Sequence, residues 1–231
     1  MPGADNVSKV VAHFEEQILS GALAPGDLLP SERAIADEME VGRNVVREAI
    51  SRLASLGLVR TMHGSGTRVE APSGRPITQT YERLLRQGGL ELSHLAQVRL
   101  PLETAIAGLA ALHRGEEHLQ QMEATQAVLA SERASLESQV EADHEFHATL
   151  AEATGNPLFN LMLSPMQELL IESRRRTLGR HGARLAYEHH AAILDAVRAG
   201  DEAAAAEAMR RHLEVNVWHL SQEGETASGG A

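Results

Sequence analysis

The 231-residue sequence predicts a mainly α-helical protein in two parts: an N-terminal domain of short helices with a β-hairpin, then an antiparallel all-helical bundle. Apolar residues recur at spacings of three and four through most of the chain, which is the helical period. A strand–turn–strand pattern is confined to LVRTMHGSGTRVE, where two glycines supply the turn. The stretch APSGRPIT, with two prolines, is typical of a linker. We therefore expect an N-terminal domain at 1–70, a linker at 71–78, a bundle at 79–221 and a disordered tail at 222–231.

The composition narrows the class of protein. Hydrophobic residues make up 43% and charged residues 23% of the chain, as in soluble globular proteins. The absence of cysteine excludes disulfides and thiolate zinc sites. We find neither a signal-peptide pattern nor an apolar run of membrane-spanning length. We therefore expect a cytoplasmic protein with no membrane partner.

The charge distribution limits how the protein could bind nucleic acid. A net charge of −11 argues against general affinity for DNA, which usually leaves a basic footprint. Four arginines nevertheless fall close together in the first part: Arg33, Arg43, Arg47 and Arg52. Any DNA-binding surface is therefore a small basic face on a protein that is acidic overall, and we expect weak binding to non-specific DNA.

The first part contains three predicted helices and a hairpin. An amphipathic helix covers Val7–Leu19, and Ser31 is a good N-cap for a second helix that ends near Met39. A third helix begins after Gly42. Its predicted inward face consists of Val45, Val46, Ala49, Ile50, Leu53 and Leu56. Helix, short turn, helix and hairpin together describe a winged helix-turn-helix.

The third helix turns Arg43, Asn44 and Arg47 outward on its N-terminal turns. In a winged helix-turn-helix these turns meet base edges and phosphates in the major groove. Arginine suits this position because its planar fork can bind guanine or a phosphate through two hydrogen bonds. The alternative is that these side chains only form a solvated helix face; the turn residues and the hairpin favour DNA contact.

Residues 19–69 resemble the N-terminal domain of the GntR family of bacterial transcription regulators. PG, LPSER, VREA, GLV and GSGT all stand in register. The resemblance implies that Arg33, Arg43 and Arg47 are the main DNA contacts and that Asn44 supports them. It also implies that the hairpin tip reaches the minor groove through His63 and Gly64. Where the family usually has Ser or Thr this chain has Gly42, so no contact is assigned there.

The second part is Leu- and Ala-rich with helical periodicity throughout. It is interrupted at five Gly-, Pro- or polar-rich breaks: Gly88-Gly89, His113–Glu116, Gly155-Asn156-Pro157, Gly179–Gly182 and Gly200-Asp201. These breaks predict six or seven helices.

Polar residues stand at core positions of these helices. In EADHEFHATL, Asp143 and His147 lie in the apolar stripe that Leu136, Val140 and Leu150 define. His190 and His212 occupy similar positions later in the chain. In one straight helix they would lie roughly 33 Å apart. A helical hairpin at Gly200-Asp201, midway between them, would place them opposite each other.

Four side chains would then meet in the core: Asp143, His147, His190 and His212. Three neutral imidazoles and one carboxylate suit a divalent transition metal, Zn²⁺, Ni²⁺, Mn²⁺ or Fe²⁺. A six-coordinate ion would keep two positions for water or a bound acid, whereas a closed tetrahedral zinc would keep none. The alternative is that each histidine is a separately satisfied core residue. His144 and His189 lie about 100° round the helix and are interpreted as bystanders.

Arg99 also occupies a core position. Its stripe consists of Leu92, Leu95, Arg99, Leu102, Ile106 and Leu109. A buried guanidinium needs an anion. Two partners are open: Glu103, one turn further on, or the carboxylate of a small ligand that Arg99 and the metal hold together.

Residues 90–221 resemble the FCD ligand-binding domain of FadR-type GntR regulators. The matching pieces are VRLPLE, AGLAA, DHEFH, the GNP turn, HAAILDAV, GD and AM-x-x-HL. The resemblance implies metal ligands at Asp143, His147, His190 and His212, with Arg99 over an organic-acid effector. Pro101 and the segment at 173–182 are not parts of the pattern. That segment contains three arginines: Arg174, Arg175 and Arg176. Either all three are solvated, or one of them lines the pocket.

These inferences combine in a cytoplasmic, homodimeric, metabolite-responsive transcription regulator rather than an enzyme. A two-fold dimer requires two half-sites, hence a pseudo-palindromic operator in double-stranded DNA. By resemblance, the small carboxylate effector releases a repressor from that operator.

Two alternatives remain. One is a metal-dependent hydrolase, since open metal positions can activate water, although no general base is evident. The other is a purely structural metal with no effector.

Overall fold

The computed structural model describes residues 2–62 and 64–228, and the side chains of 6–62, 64–180 and 182–215. The chain divides into two compact units, Met1–Pro76 and Ile77–Ala231. The first unit contains α1 (Pro2–Leu19), α2 (Glu32–Glu38), α3 (Arg43–Ser55), β1 (Val59–Met62) and β2 (Gly66–Val69). The helices that follow are α4 (Arg75–Arg86), α5 (Leu92–His113), α6 (Glu116–Leu129), α7 (Leu136–Ala153), α8 (Pro157–His181), α9 (Arg184–Ala199) and α10 (Glu202–Ser228). The mainly helical fold class and the count of six or seven helices after the hairpin are confirmed within the described chain.

The core of the first unit lies between its three helices. The buried residues come from α1, α2 and α3 and from the start of β1: Val7, Val10, Phe14, Ile35, Ala36, Val46, Ala49, Ile50, Leu53 and Val59. Two residues of the predicted inward face of α3 differ: Val45 is half-buried and Leu56 is exposed. Leu56 departs because α3 ends at Ser55, so this residue is the C-cap.

Local chemistry sets the ends of α2 and α3 and the shape of the hairpin. The Ser31 hydroxyl accepts a hydrogen bond from the Ala34 amide at 3.2 Å, as expected of an N-cap. Gly42 caps α3 without a side-chain hydrogen bond. β1 and β2 pair antiparallel from Val59↔Val69 to Met62↔Gly66. Helix, turn, helix and hairpin thus follow one another as the sequence predicts.

The second unit packs its helices around a continuous apolar core. Residues from α5 to α10 contribute: Ile106, Ala107, Ala110, Met122, Phe146, Leu150, Leu163, Leu170, Ile193, Val197, Met209 and Leu213. One break that sequence analysis missed separates α6 from α7, where Ser135 caps α7 by accepting a hydrogen bond from the Ser138 amide. Gly200 ends α9 in the left-handed conformation, with φ 74°, and α10 begins at Glu202. The predicted hairpin is therefore present.

Three predictions about boundaries and hydropathy need correction. The predicted linker at 71–78 overlaps α4, which begins at Arg75, because Pro76 is tolerated in the first turn of a helix. Of the tail expected to be disordered at 222–231, residues 222–228 have helical backbone that continues α10, and residues 229–231 lie outside the described residues. By length and composition α5 could cross a membrane, contrary to expectation. Half of its most apolar stretch is buried in the protein, which is typical of a core helix.

Gly57 supports a prediction about stability. It has φ 75°, and a Cβ there would lie 2.8 Å from Cγ of Pro76. Gly21 has a similar φ of 79° but open space around the Cβ position. We expect Gly21→Ala to lower the free energy of unfolding by about 1–2 kcal/mol, the cost of a left-handed alanine, and Gly57→Ala to lower it further. Urea denaturation of the full chain measures both.

A matched variant isolates the close contact. Pro76→Ala removes Cγ and should bring the loss from Gly57→Ala close to that from Gly21→Ala. Equal losses from Gly57→Ala and Gly21→Ala in the parent chain would contradict the steric account.

Candidate functional site

The residues expected to contact DNA are exposed on the first unit. Arg47 Nη2 lies 3.1 Å from Glu32 Oε2, and its side chain is 67% exposed. Arg33 Nε lies 3.7 Å from Asp37 Oδ2 in a similarly exposed pair. Exposed pairs contribute little to stability, so a phosphate can replace the carboxylate at small cost. The remaining positions, Arg43, Asn44 and Gly64, are exposed, whereas His63 lies outside the described residues.

The second unit brings together the four side chains expected to bind a metal. α7 supplies Asp143 and His147, α9 supplies His190 and α10 supplies His212. All four are buried, and one donor atom of each lies within 4.8 Å of a donor atom of every other. The rings of His190 and His212, far apart in sequence, have centroids 4.8 Å apart.

Local geometry explains this convergence. Asp143 and His147 are four residues apart and therefore share one face of α7. The left-handed Gly200 reverses the chain between α9 and α10. Phe146 stacks on the His190 ring, with centroids 4.1 Å apart and planes 8° from parallel. The stacking contact holds the plane of the His190 ring.

The donor set fits a cation. Within the described part of the chain, Nε2 of His147 and both ring nitrogens of His190 are buried without a hydrogen-bond partner. Such nitrogens are costly to bury unless an atom outside the protein engages them. Burial lowers the pKa of His190 to about 3 and that of His212 well below its ordinary value. Both imidazoles are therefore neutral at pH 7, which is the form that binds metals.

Glu103 contacts both Arg99 and His147 in the core, so the three side chains form a buried polar chain. The Arg99 Nε–H donates to Glu103 Oε1 at 2.5 Å. The other carboxylate oxygen lies 2.5 Å from His147 Nδ1. Burial raises the pKa of Glu103, but the charge of Arg99 and the hydrogen bonds from Arg99 and His147 outweigh burial and hold this pKa well below its usual range. Because Nδ1 of His147 faces Glu103, Nε2 is the nitrogen that could bind a metal, an arrangement common among metal-binding histidines.

Arg174 pairs with Asp143 on the opposite side of the cluster, a contact that sequence analysis did not assign. Arg174 Nε lies 2.6 Å from Asp143 Oδ2, while Oδ1 lies 3.5 Å from His190 Nε2. Burial raises the pKa of Asp143, but Arg174 and the nearby histidines outweigh it and keep this pKa well below its usual range. The arginine thus holds one carboxylate oxygen and leaves the other toward the histidines.

A cavity of about 70 Å³ lies beside the cluster. Its polar wall includes Arg99, Asp143, Arg174, His189 and His212, and its apolar wall includes Leu170, Leu178, Leu185, Ala186 and Val215. His189 lies outside the set of four donors, although it is next to His190 in the chain. It lines the cavity, and its ring centroid lies 5.5 Å from that of His212. The sequence pattern did not indicate this pocket position, because a residue beside the core-facing stripe of α9 can still line a pocket.

Both expected partners of Arg99 remain compatible with this geometry. Nε binds Glu103, whereas Nη2 is buried without a hydrogen-bond partner among the described residues. Arg99 also lines the cavity. One edge of the guanidinium is therefore occupied by protein, and another remains for a ligand anion.

Comparison with known proteins identifies relatives over most of the chain. The family model described as "Bacterial regulatory proteins, gntR family" matches residues 6–69, and the one described as "FCD domain" matches residues 94–215. The "HTH-type transcriptional regulator LutR" of Bacillus subtilis is 35% identical over 202 residues, covering 85% of this chain and 92% of that protein. The "HTH-type transcriptional repressor NanR" of Enterobacter sp. is 30% identical over 226 residues, covering 93% and 86%. The solved structure of "Streptococcus agalactiae GntR" matches with a TM-score of 0.67 and 26% identity, covering 91% of this chain and 98% of that one.

The buried polar chain supports a prediction about stability. Glu103→Ala leaves the Arg99 guanidinium without its carboxylate, so we expect a loss of about 3–5 kcal/mol in the free energy of unfolding. Glu141→Ala, at an exposed position of α7, should change it by about 0.5 kcal/mol or less. Chemical denaturation with a chelator present measures both values.

A double substitution separates lost charge compensation from lost packing. Replacing Arg99 and Glu103 together by methionine removes both charges and should cost less than Glu103→Ala. A double variant at least as unstable as the single one would contradict the electrostatic explanation.

Proposed function

The chain belongs to the GntR family and carries an FCD domain, and from this premise we propose a homodimeric, cytoplasmic repressor controlled by a small organic acid bound beside a divalent metal. DNA-binding transcription regulation follows from family membership, and the relatives are regulators rather than enzymes. The metal, the effector and the dimer are the proposal. The observation that carries it is the buried convergence of Asp143, His147, His190 and His212.

The metal proposal is supported by donors that the protein leaves unused. Nε2 of His147 and both ring nitrogens of His190 are buried without hydrogen-bond partners in the described chain. Glu103 holds His147 with Nδ1 turned away from the cluster, and Arg174 holds one oxygen of Asp143. Three imidazoles and one carboxylate oxygen suit Zn²⁺, Ni²⁺, Mn²⁺ or Fe²⁺. When bound, the metal supplies a positive centre that attracts a ligand carboxylate.

The effector proposal is supported by the cavity and by Arg99. The cavity adjoins the metal ligands Asp143 and His212, and Arg99 Nη2 is free of other hydrogen bonds in the described chain. Charge-assisted bonds from a guanidinium to a carboxylate are short and strong, particularly in a buried site. A purely structural metal would require neither this cavity nor this unsatisfied atom, so we favour the sensory function.

DNA contact is assigned to Arg33, Arg43, Asn44 and Arg47 on the first unit and to His63 and Gly64 at the hairpin tip. Two copies related by a two-fold axis would read two half-sites of a pseudo-palindromic operator. An effector can change operator affinity only if it binds the DNA-competent and released states with different affinity. We propose that the organic acid favours the released state.

Arg47→Ala tests the DNA-binding face. Loss of one arginine contact should weaken operator binding by about 1–3 kcal/mol. Arg52→Ala is the matched control, because Arg52 is exposed on the same helix and pairs with Glu48 at 2.7 Å. Fluorescence anisotropy at fixed salt measures both affinities. If the two variants bound the operator as tightly as the parent protein, Arg47 would be removed from the contact face.

His147→Ala tests the metal centre. Elemental analysis of the purified protein should find about one equivalent of a divalent transition metal per chain, since the four donors form a single cluster within 4.8 Å of one another. That equivalent should be lost in His147→Ala and retained in His144→Ala, whose residue is adjacent but outside the donor set. Circular dichroism checks that both variants fold. Full metal content in folded His147→Ala would overturn the ligand assignment.

A further inference from the structure

We propose that Arg174 is a second anion-binding residue of the effector site, and that the effector is a small dicarboxylate rather than a monocarboxylate. This inference rests on the proposed function and names the ligand class of the same site. Neither the sequence pattern nor the family resemblance assigns a function to Arg174.

Two arginines that line one cavity carry donor atoms without a hydrogen-bond partner in the described chain. Both Nη1 and Nη2 of Arg174 are buried without hydrogen-bond partners among the described residues, as is Nη2 of Arg99. The Nε atom of Arg174 pairs with Asp143, and the Nε atom of Arg99 pairs with Glu103. Both residues line the cavity. Three N–H-bearing atoms are therefore fixed in place and available to oxygen atoms of a ligand.

The charges in the site favour two acidic groups on that ligand. The guanidinium groups of Arg99 and Arg174 are balanced by the carboxylates of Glu103 and Asp143. The histidines bind a metal in their neutral form. A divalent metal therefore leaves two positive charges uncompensated in a buried site, where unpaired charge is costly. A monocarboxylate would neutralise one of them, whereas a dicarboxylate neutralises both.

The position of Arg174 distinguishes it from its neighbours. Arg175 is 42% exposed and pairs with Glu137 and Glu172 on the surface. Neither Arg175 nor Arg176 lines the cavity, whereas the Arg174 side chain is 11% exposed. Of this run of three arginines, Arg174 is therefore the one that turns inward.

The cavity beside the cluster is small, with a volume of about 70 Å³, so small acids are the first probes to test. The apolar wall formed by Leu170, Leu178 and Val215 would contact the carbon skeleton of such an acid, while the arginines and the metal would bind the two ends. Acids of about four carbons are the appropriate probes.

The experiment compares acids that differ in one carboxylate. Thermal melting of the metal-loaded full chain is followed against succinate and butyrate, and against malate and 3-hydroxybutyrate. We expect each diacid to stabilise the protein at concentrations roughly tenfold or more below those that its monoacid requires. This factor corresponds to the affinity gained from one added charge-assisted hydrogen bond. Arg174→Gln should abolish this preference, and Arg175→Gln should retain it.

Metal content is measured in each variant, because Arg174→Gln removes the partner of Asp143. If that variant does not fold or load metal, Arg174→Lys, which keeps the positive charge but not the fork, is used in its place. It should retain a preference for the diacid but bind it roughly tenfold more weakly. Undiminished diacid affinity in either folded variant would overturn the assignment of Arg174.

Other results separate this inference from the proposed function. If monoacids bind as well as diacids, through Arg99 and the metal, and release DNA, the proposed function stands and the dicarboxylate inference is wrong. If metal is bound but none of the four acids stabilises the parent protein, the dicarboxylate inference is overturned, and the structural-metal alternative gains support.

Discussion

The helical unit is organised around charge that it buries at its centre. Two carboxylates, Glu103 and Asp143, lie among histidines in a helical core, and each is matched by one arginine. Removing either member of such a pair leaves an uncompensated buried charge, which is far costlier than losing a surface ion pair. The arrangement therefore constrains the packing of α5, α7 and α8, which carry these residues, in addition to the apolar contacts around them.

The same pairs prepare the site for its ligands. Glu103 fixes one nitrogen of His147, Arg174 fixes one oxygen of Asp143, and stacking on Phe146 fixes the ring of His190. The donor atoms already lie within 4.8 Å of one another, so only small movements of these side chains would separate them from a common ion, which reduces the entropy that binding must overcome. In the proposed function, the metal adds positive charge to the buried site and the organic acid neutralises it. The binding of one therefore supports the binding of the other.

Sequence alone predicted the fold class and the four convergent side chains because both follow from spacing. Asp143 and His147 interrupt an apolar stripe, and His190 and His212 stand symmetrically about Gly200. Arg174 was not predictable in the same way, because it lies in a run of three arginines on a long helix with weak periodicity. Only the rotation of α8 against α7 decides which arginine turns inward. The pocket position of His189 likewise depends on packing between helices.

X-ray absorption spectroscopy at the edge of the bound metal tests the central claim most directly. The account predicts one class of metal atom surrounded by about three imidazole nitrogens and by carboxylate oxygen, at roughly 2.0–2.2 Å for zinc. The imidazole scattering should fall by one ring in His190→Gln. A spectrum with oxygen ligands alone, or one unchanged by that substitution, would contradict a cation held by side chains from three helices.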